Sequence, residues 1–150
     1  TIRENIGLGK PDASFEDIIE AAKKAQAHEF IAEMPDRYDT ELSEQGRSLS
    51  GGERQRIVIA RALLGDPEII IFDEATSNLD TFSEAQLQEA IWKLGDMGVT
   101  VIIVAHRLTT VTHCDQILLL DHGEIAEHGS HEELVAQEGH YAELWKRHLR

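Results

Sequence analysis

The chain has 150 residues, enough for a domain with a sizeable core. Its 28 acidic residues outnumber 14 basic ones, for a formal net charge of -14, and so acidic a chain is short of the cations that neutralise a nucleic-acid backbone. No nucleic-acid partner is therefore expected, and an aromatic content of 5% leaves little material for base stacking.

Cys114 is the only cysteine and can form no internal disulfide, which fits a reducing compartment. The apolar runs "IIIF", "VIIVA" and "ILLL" are strand-length, far below the roughly 18 residues that span a bilayer. The opening "TIRENIGLGK" has neither the apolar core of a signal peptide nor an initiating methionine, and the chain reads as part of something longer.

Ser14 and Asp17 form a capping pair, and Phe15, Ile18, Ile19 and Ala22 share one face, predicting a helix over about 14–27. A short second helix is expected to about Glu33, broken at Pro35. "DTELSEQGRS" is polar and irregular, hence a loop. A third helix is predicted from about Gly51 to Leu64, with Ile57, Ala60, Leu63 and Leu64 facing inward. "EIIIF" is continuously apolar and reads as a strand buried on both faces. "DEATSNLD" is a loop, followed by a helix over about 81–97 that buries Leu87, Ala90, Ile91 and Leu94. "VTVIIVA" is a second buried strand. "DQILLL", the turn "DHGE" and "EIAEH" predict an antiparallel hairpin, with helices over about 131–137, capped by Ser130, and about 140–149. A helical first third, 1–62, thus precedes a part that alternates strand and helix, 63–150, the pattern of a mostly parallel α/β sheet.

Three stretches carry chemistry. In "LSGG", two glycines and Ser50 precede a helix, so unpaired N–H groups, the positive dipole end and a hydroxyl converge. That is either an anion seat or an ordinary cap and turn. In "IIIFDE", Asp73 and Glu74 follow a buried strand, where ligands of open α/β sheets sit. They suit one carboxylate holding a cation and one accepting a proton from water, or else a solvated loop. His106, just after "VIIVA", falls at the same edge of a parallel sheet, as a phosphate contact or as a capping or core histidine. His122, His128 and His131 lack the further clustered ligands of a zinc site and read as turn and helix residues.

Taken together, "LSGGERQRIVIARALL", "IIIFDEATSNLD" and "VIIVAHRL", in that order, closely resemble the ATP-binding domain of ABC transporters across nearly the whole chain. "TIRENI", "YDTELSEQG" and "GEIAEHGSHEELV" resemble its exporter branch. The resemblance implies a P-loop NTPase-like (RecA-like), mostly parallel sheet core, here incomplete, with an N-terminal helical subdomain. It implies ATP and Mg²⁺ as ligands, a second ATP-binding domain as homo- or heterodimer partner, a transmembrane domain, and a place at the cytoplasmic face of a membrane. "LSGGE" matches the signature motif, with Glu53 where glutamine is commoner; Ser50, Gly51 and Gly52 would then meet the γ-phosphate of a nucleotide held by the partner. Asp73 matches the Walker B aspartate, holding Mg²⁺ through water, Glu74 the catalytic base and His106 the switch histidine. Ser77 to Asp80, "SNLD", match the D-loop, and "TELSEQG", 40–46, the X-loop.

One departure is large. No GxxxxGK[ST] loop occurs, and "GLGKP" cannot replace it. The resemblance thus implies a C-terminal fragment that binds ATP poorly alone and leaves an open apolar sheet edge. The alternatives are a soluble ABC-type ATPase of DNA maintenance, against which the lack of a long heptad run counts, and a truncated interaction module.

Overall fold

The structure, a computed structural model, describes residues 1–43, 48–75, 79 and 81–149. Packing divides the chain into two compact units, Thr1–Ile102 and Ile103–Arg150.

The first unit opens with α1 (Ile2–Gly7), which the apolar periodicity does not announce. Thr1 and Glu4 cap it reciprocally, and Ile2 and Ile6, one turn apart, are fully buried. In α2 (Phe15–Lys24), Ser14 and Asp17 form the expected capping box and Ile18, Ala21 and Ala22 face inward. The helix stops short of residue 27 because Gln26 turns the chain at a φ of 55°. Phe15, expected on the inner face, is exposed and meets the Tyr38 ring edge-on at 5.4 Å. α3 (His28–Glu33) ends where Met34 becomes extended ahead of Pro35. A 3₁₀ turn, Arg37–Asp39, follows and buries Tyr38, whose hydroxyl pairs with His28 Nδ1 at 2.8 Å.

The central element is α4 (Gly51–Leu63). Its inner stripe is the expected one, with Ile57, Ala60 and Leu63 buried and Leu64 buried just beyond. It packs against α1 and α2. Arg61 donates to the Asn5 carbonyl at 2.7 Å and to Asn5 Oδ1 at 3.2 Å, fastening α4 to α1. A Cβ on Gly9 would collide with the Arg61 carbonyl, so glycine is needed for that approach.

β1 (Ile69–Asp73) follows, then α5 (Thr81–Asp96), packed against α4, and β2 (Thr100–Val104), which crosses the division between the units. β1 and β2 pair as a small parallel sheet, and the Thr100 N–H donates to the Glu68 carbonyl at 2.9 Å. Leu87, Ala90, Ile91 and Leu94 of α5 are buried as its periodicity predicts. β1 differs from expectation. Ile70 and Phe72 are buried, but Ile69 and Ile71 are 57% and 64% exposed. Successive side chains point to opposite faces, and the described residues cover only one of them. β2 is likewise not fully buried, with Ile102 exposed. Within this unit α4 packs with α1, α2 and α5.

The second unit contains α6 (Leu108–Val111), the antiparallel hairpin β3 (Ile117–Asp121) and β4 (Glu124–Gly129), α7 (His131–Ala136) and α8 (His140–His148). His122 and Gly123 both have positive φ, 48° and 83°, the two-residue turn that suits the twist of a hairpin. Ser130 and Glu133 cap α7 reciprocally. Ile117, Leu134 and Tyr141 form the core, with Leu108, Val111, Cys114, Leu119 and Val135 packed around it. Burial, then Asp115, push the Cys114 thiol up, which disfavours its thiolate.

Candidate functional site

The site begins at the start of α4. Ser50 is its N-cap: Ser50 Oγ accepts the Glu53 N–H at 3.2 Å, and Glu53 Oε2 accepts the Ser50 N–H at 2.7 Å. The capping reading is therefore met. Ser50 caps the helix, yet accepting a hydrogen bond leaves its own O–H to donate. It is exposed, at the positive end of a 13-residue helix. The Ser-x-x-Glu spacing was readable as a capping box, and it brings a carboxylate into the same small space.

The two glycines serve the chain's own packing. A Cβ on Gly51 would strike the Leu79 side chain, and one on Gly52 would come within 3.0 Å of Ser83 Cβ at the start of α5. Gly52 is buried. The lack of side chains thus lets the α4 start approach both residues.

A cleft of 490 Å³ adjoins this end, lined by Ser50, Glu53 and Arg56 of the α4 region, Phe30 of α3, and Phe82 and Ser83 of α5. Arg56 is buried, with its guanidinium over the Phe30 ring at 5.0 Å, and its Nε has no hydrogen-bond partner among the described residues. Desolvation pulls its pKa down, opposed by the carboxylates of Glu53 and Glu29.

Asp73 closes β1 and Glu74 follows it, both exposed. Glu74 has a φ of 49°. The left-handed region disfavours a residue with a Cβ by about 1–2 kcal/mol, so surrounding contacts must hold it there. One contact is visible: Gln55 Nε2, from α4, donates to the Ala75 carbonyl at 3.1 Å. The α4 start and the two carboxylates thus belong to one packed unit, joined through Gln55. Motif reading missed Gln55 because its partner lies 20 residues away and is a backbone atom. Among the described residues no three His, Cys, Asp or Glu side chains form a metal cluster.

His106 lies in the second unit, exposed, two residues past β2. Ser77 and Asp80 lie outside the described residues, as do residues 44–46 of the "TELSEQG" segment. Leu79, within "SNLD", is described and meets Gly51. No helix among the described residues is long and apolar enough to cross a membrane.

Comparison with known proteins agrees on the kinship of this arrangement. The Bacillus subtilis (strain 168) protein YgaD, whose name describes it provisionally as a multidrug export ATP-binding/permease protein, is 53% identical over 145 residues, covering 97% of this chain and 25% of the relative. A Staphylococcus aureus (strain NCTC 8325 / PS 47) protein of the same description is 51% identical over the same span. The chain spans about a quarter of the length of these curated relatives. Among solved structures, a bacterial Atm1-family ABC exporter with ATP bound superposes with a TM-score of 0.85 at 46% identity, over 98% of this chain and 26% of the other. The fold is accordingly that of the P-loop NTPases, and the relatives do not favour a DNA-maintenance ATPase. Residues 1–77 match the ABC transporter family. With that match over half its length, the chain belongs to the ABC transporter family.

Proposed function

We propose that this chain is part of the ATPase of an ABC exporter, working in the intact protein at an interface with a second ATP-binding domain. The observation that carries the reading is Ser50 at the head of α4: an exposed hydroxyl at the positive end of a 13-residue helix, with glycines at the first two helical positions. Under this reading the seat serves a nucleotide carried by the partner domain.

In the reaction, the oxygen of a water attacks the γ-phosphorus of ATP. The bond from that phosphorus to the β–γ bridging oxygen breaks, and ADP leaves with the electron pair. Glu74 takes the proton of the attacking water. Ser50, donating its O–H, and the N–H groups of Gly51 and Gly52 stabilise charge on the γ-phosphoryl oxygens of the partner's nucleotide, while Glu53 of the signature holds the helix start by accepting the Ser50 N–H. His106 donates to the γ-phosphate of the chain's own nucleotide. Ser77 and Asp80 contribute from the D-loop. Asp73 suits Mg²⁺, which keeps several waters and needs only one or two carboxylates besides phosphate, and when bound the ion neutralises phosphate charge. The domain lies at the cytoplasmic face of a membrane, against a transmembrane domain through which its dimerisation drives export.

The test uses the full-length protein. Glu74→Gln retains ATP binding by calorimetry while steady-state hydrolysis drops by about a hundredfold or more. In the same experiment the 150 residues alone show no micromolar binding. Turnover at the unmodified rate in Glu74→Gln removes Glu74 from its role, and micromolar binding by the isolated chain removes the need for a second phosphate-binding segment.

A further inference from the structure

We infer that Gln55 is a positioning residue for hydrolysis, acting through the Ala75 carbonyl to hold Glu74 in place and to tie that carboxylate to the serine the chain lends its partner. The inference rests on the role proposed for Glu74.

Glu74 stands immediately after β1 with a φ of 49°, in a backbone region that side chains resist. The strand ends at Asp73, one residue before this turn. The next residue is held from outside: Gln55 Nε2 reaches the Ala75 carbonyl at 3.1 Å. Holding the Ala75 carbonyl anchors the backbone one peptide unit beyond the left-handed residue, and so restrains the turn from which the Glu74 side chain leaves. Gln55 is half-buried, so the bond is only partly open to competition from water.

Gln55 sits on α4, five residues past Ser50 and on the same rigid helix. A second contact runs the same way, Leu79 against Gly51. Ala75 and Leu79 therefore both contact the helix that bears Ser50. Under the proposed function these two groups serve different nucleotides, so a shift of α4 on engaging the partner's phosphate would move the Ala75 carbonyl and reset Glu74. Gln55 makes the two half-sites of one chain mechanically interdependent.

The experiment compares steady-state ATP hydrolysis by the full-length protein carrying Gln55→Met, which keeps length but loses the N–H donor, and Gln55→Lys, which restores a donor, with Glu74→Gln in parallel. Gln55→Met lowers kcat about ten- to a hundredfold, as expected for a misplaced catalytic group. The KM for ATP stays within about twofold, since ground-state binding does not use Gln55. Gln55→Lys recovers most of the loss. An unchanged kcat in Gln55→Met, a change confined to KM, or equal loss in the Met and Lys variants overturns the inference. If Glu74→Gln is inactive while Gln55→Met is normal, only the role of Gln55 falls; if Glu74→Gln hydrolyses normally, the proposed function falls with it.

Discussion

Glu53 places a carboxylate at the one spot on α4 suited to an anion, and its hydrogen bond with the Ser50 N–H at 2.7 Å keeps it there. A carboxylate near a helix N-terminus is worth roughly 0.3–1 kcal/mol to the helix. Under the proposed reading the same charge opposes the γ-phosphate that Ser50 would receive. Glutamine would accept the Ser50 N–H equally well through its carbonyl oxygen and so retain the cap without the charge. Glu53→Gln in the full-length protein is therefore expected to lower the KM for ATP about two- to fivefold, the ratio corresponding to that energy range, and to make KM less sensitive to salt. A KM that rises or stays fixed across ionic strengths would mean that the carboxylate does not face the nucleotide. Gly52 illustrates a second residue-scale point: a Cβ there would come within 3.0 Å of Ser83 Cβ of the same chain, a tight contact whatever ligand arrives.

At the scale of elements, helix starts are where sequence and structure agree most closely, because a cap is decided within four residues. Ser14 with Asp17 and Ser130 with Glu133 form the reciprocal boxes that their spacing announces. α8 lacks such a local solution. Its N-cap is Gly139, with no side chain to offer, and its first donors are met by Glu127 of β4, which accepts the N–H groups of His140 and Tyr141. Glu127→Ala should leave both donors without that partner and destabilise the second unit by about 1–3 kcal/mol. The measurement is amide hydrogen exchange at His140 and Tyr141, where protection should fall first; unaltered exchange would show that solvent replaces the carboxylate without loss. The same contrast explains what the sequence left unread. The 3.6-residue stripe of α5 and the His122–Gly123 turn depend on neighbours in the chain and were legible. α1 has six residues and two apolar anchors, and Arg61 fastens it from 56 positions away. The Gln55 bond to Ala75 is non-local in the same sense, so Asp73, Glu74 and Ser50 could be picked out as motifs while the group joining them could not.

For the whole molecule two forces compete. Ile69 and Ile71 of β1 and Ile102 of β2 are exposed, at 57%, 64% and 46%, an apolar surface that favours association at about 25 cal/mol per Å² removed from water. Against it stands a formal net charge of -14, which makes copies of the chain repel one another. The charge acts over about a Debye length, roughly 10 Å at 0.1 M salt and 3 Å at 1 M, whereas apolar burial does not weaken with salt. The isolated 150 residues should therefore sediment as smaller species at low ionic strength and shift toward larger ones as sodium chloride is raised. Ile71→Lys should diminish that shift without lowering the melting temperature appreciably, since the side chain it replaces is already largely in water. A monomer at every salt concentration would show that this face is too small or too irregular to drive association. Association that Ile71→Lys leaves intact would place the contact elsewhere, with the exposed Leu118, Leu120 and Ile125 of the β3–β4 hairpin the next surface to alter.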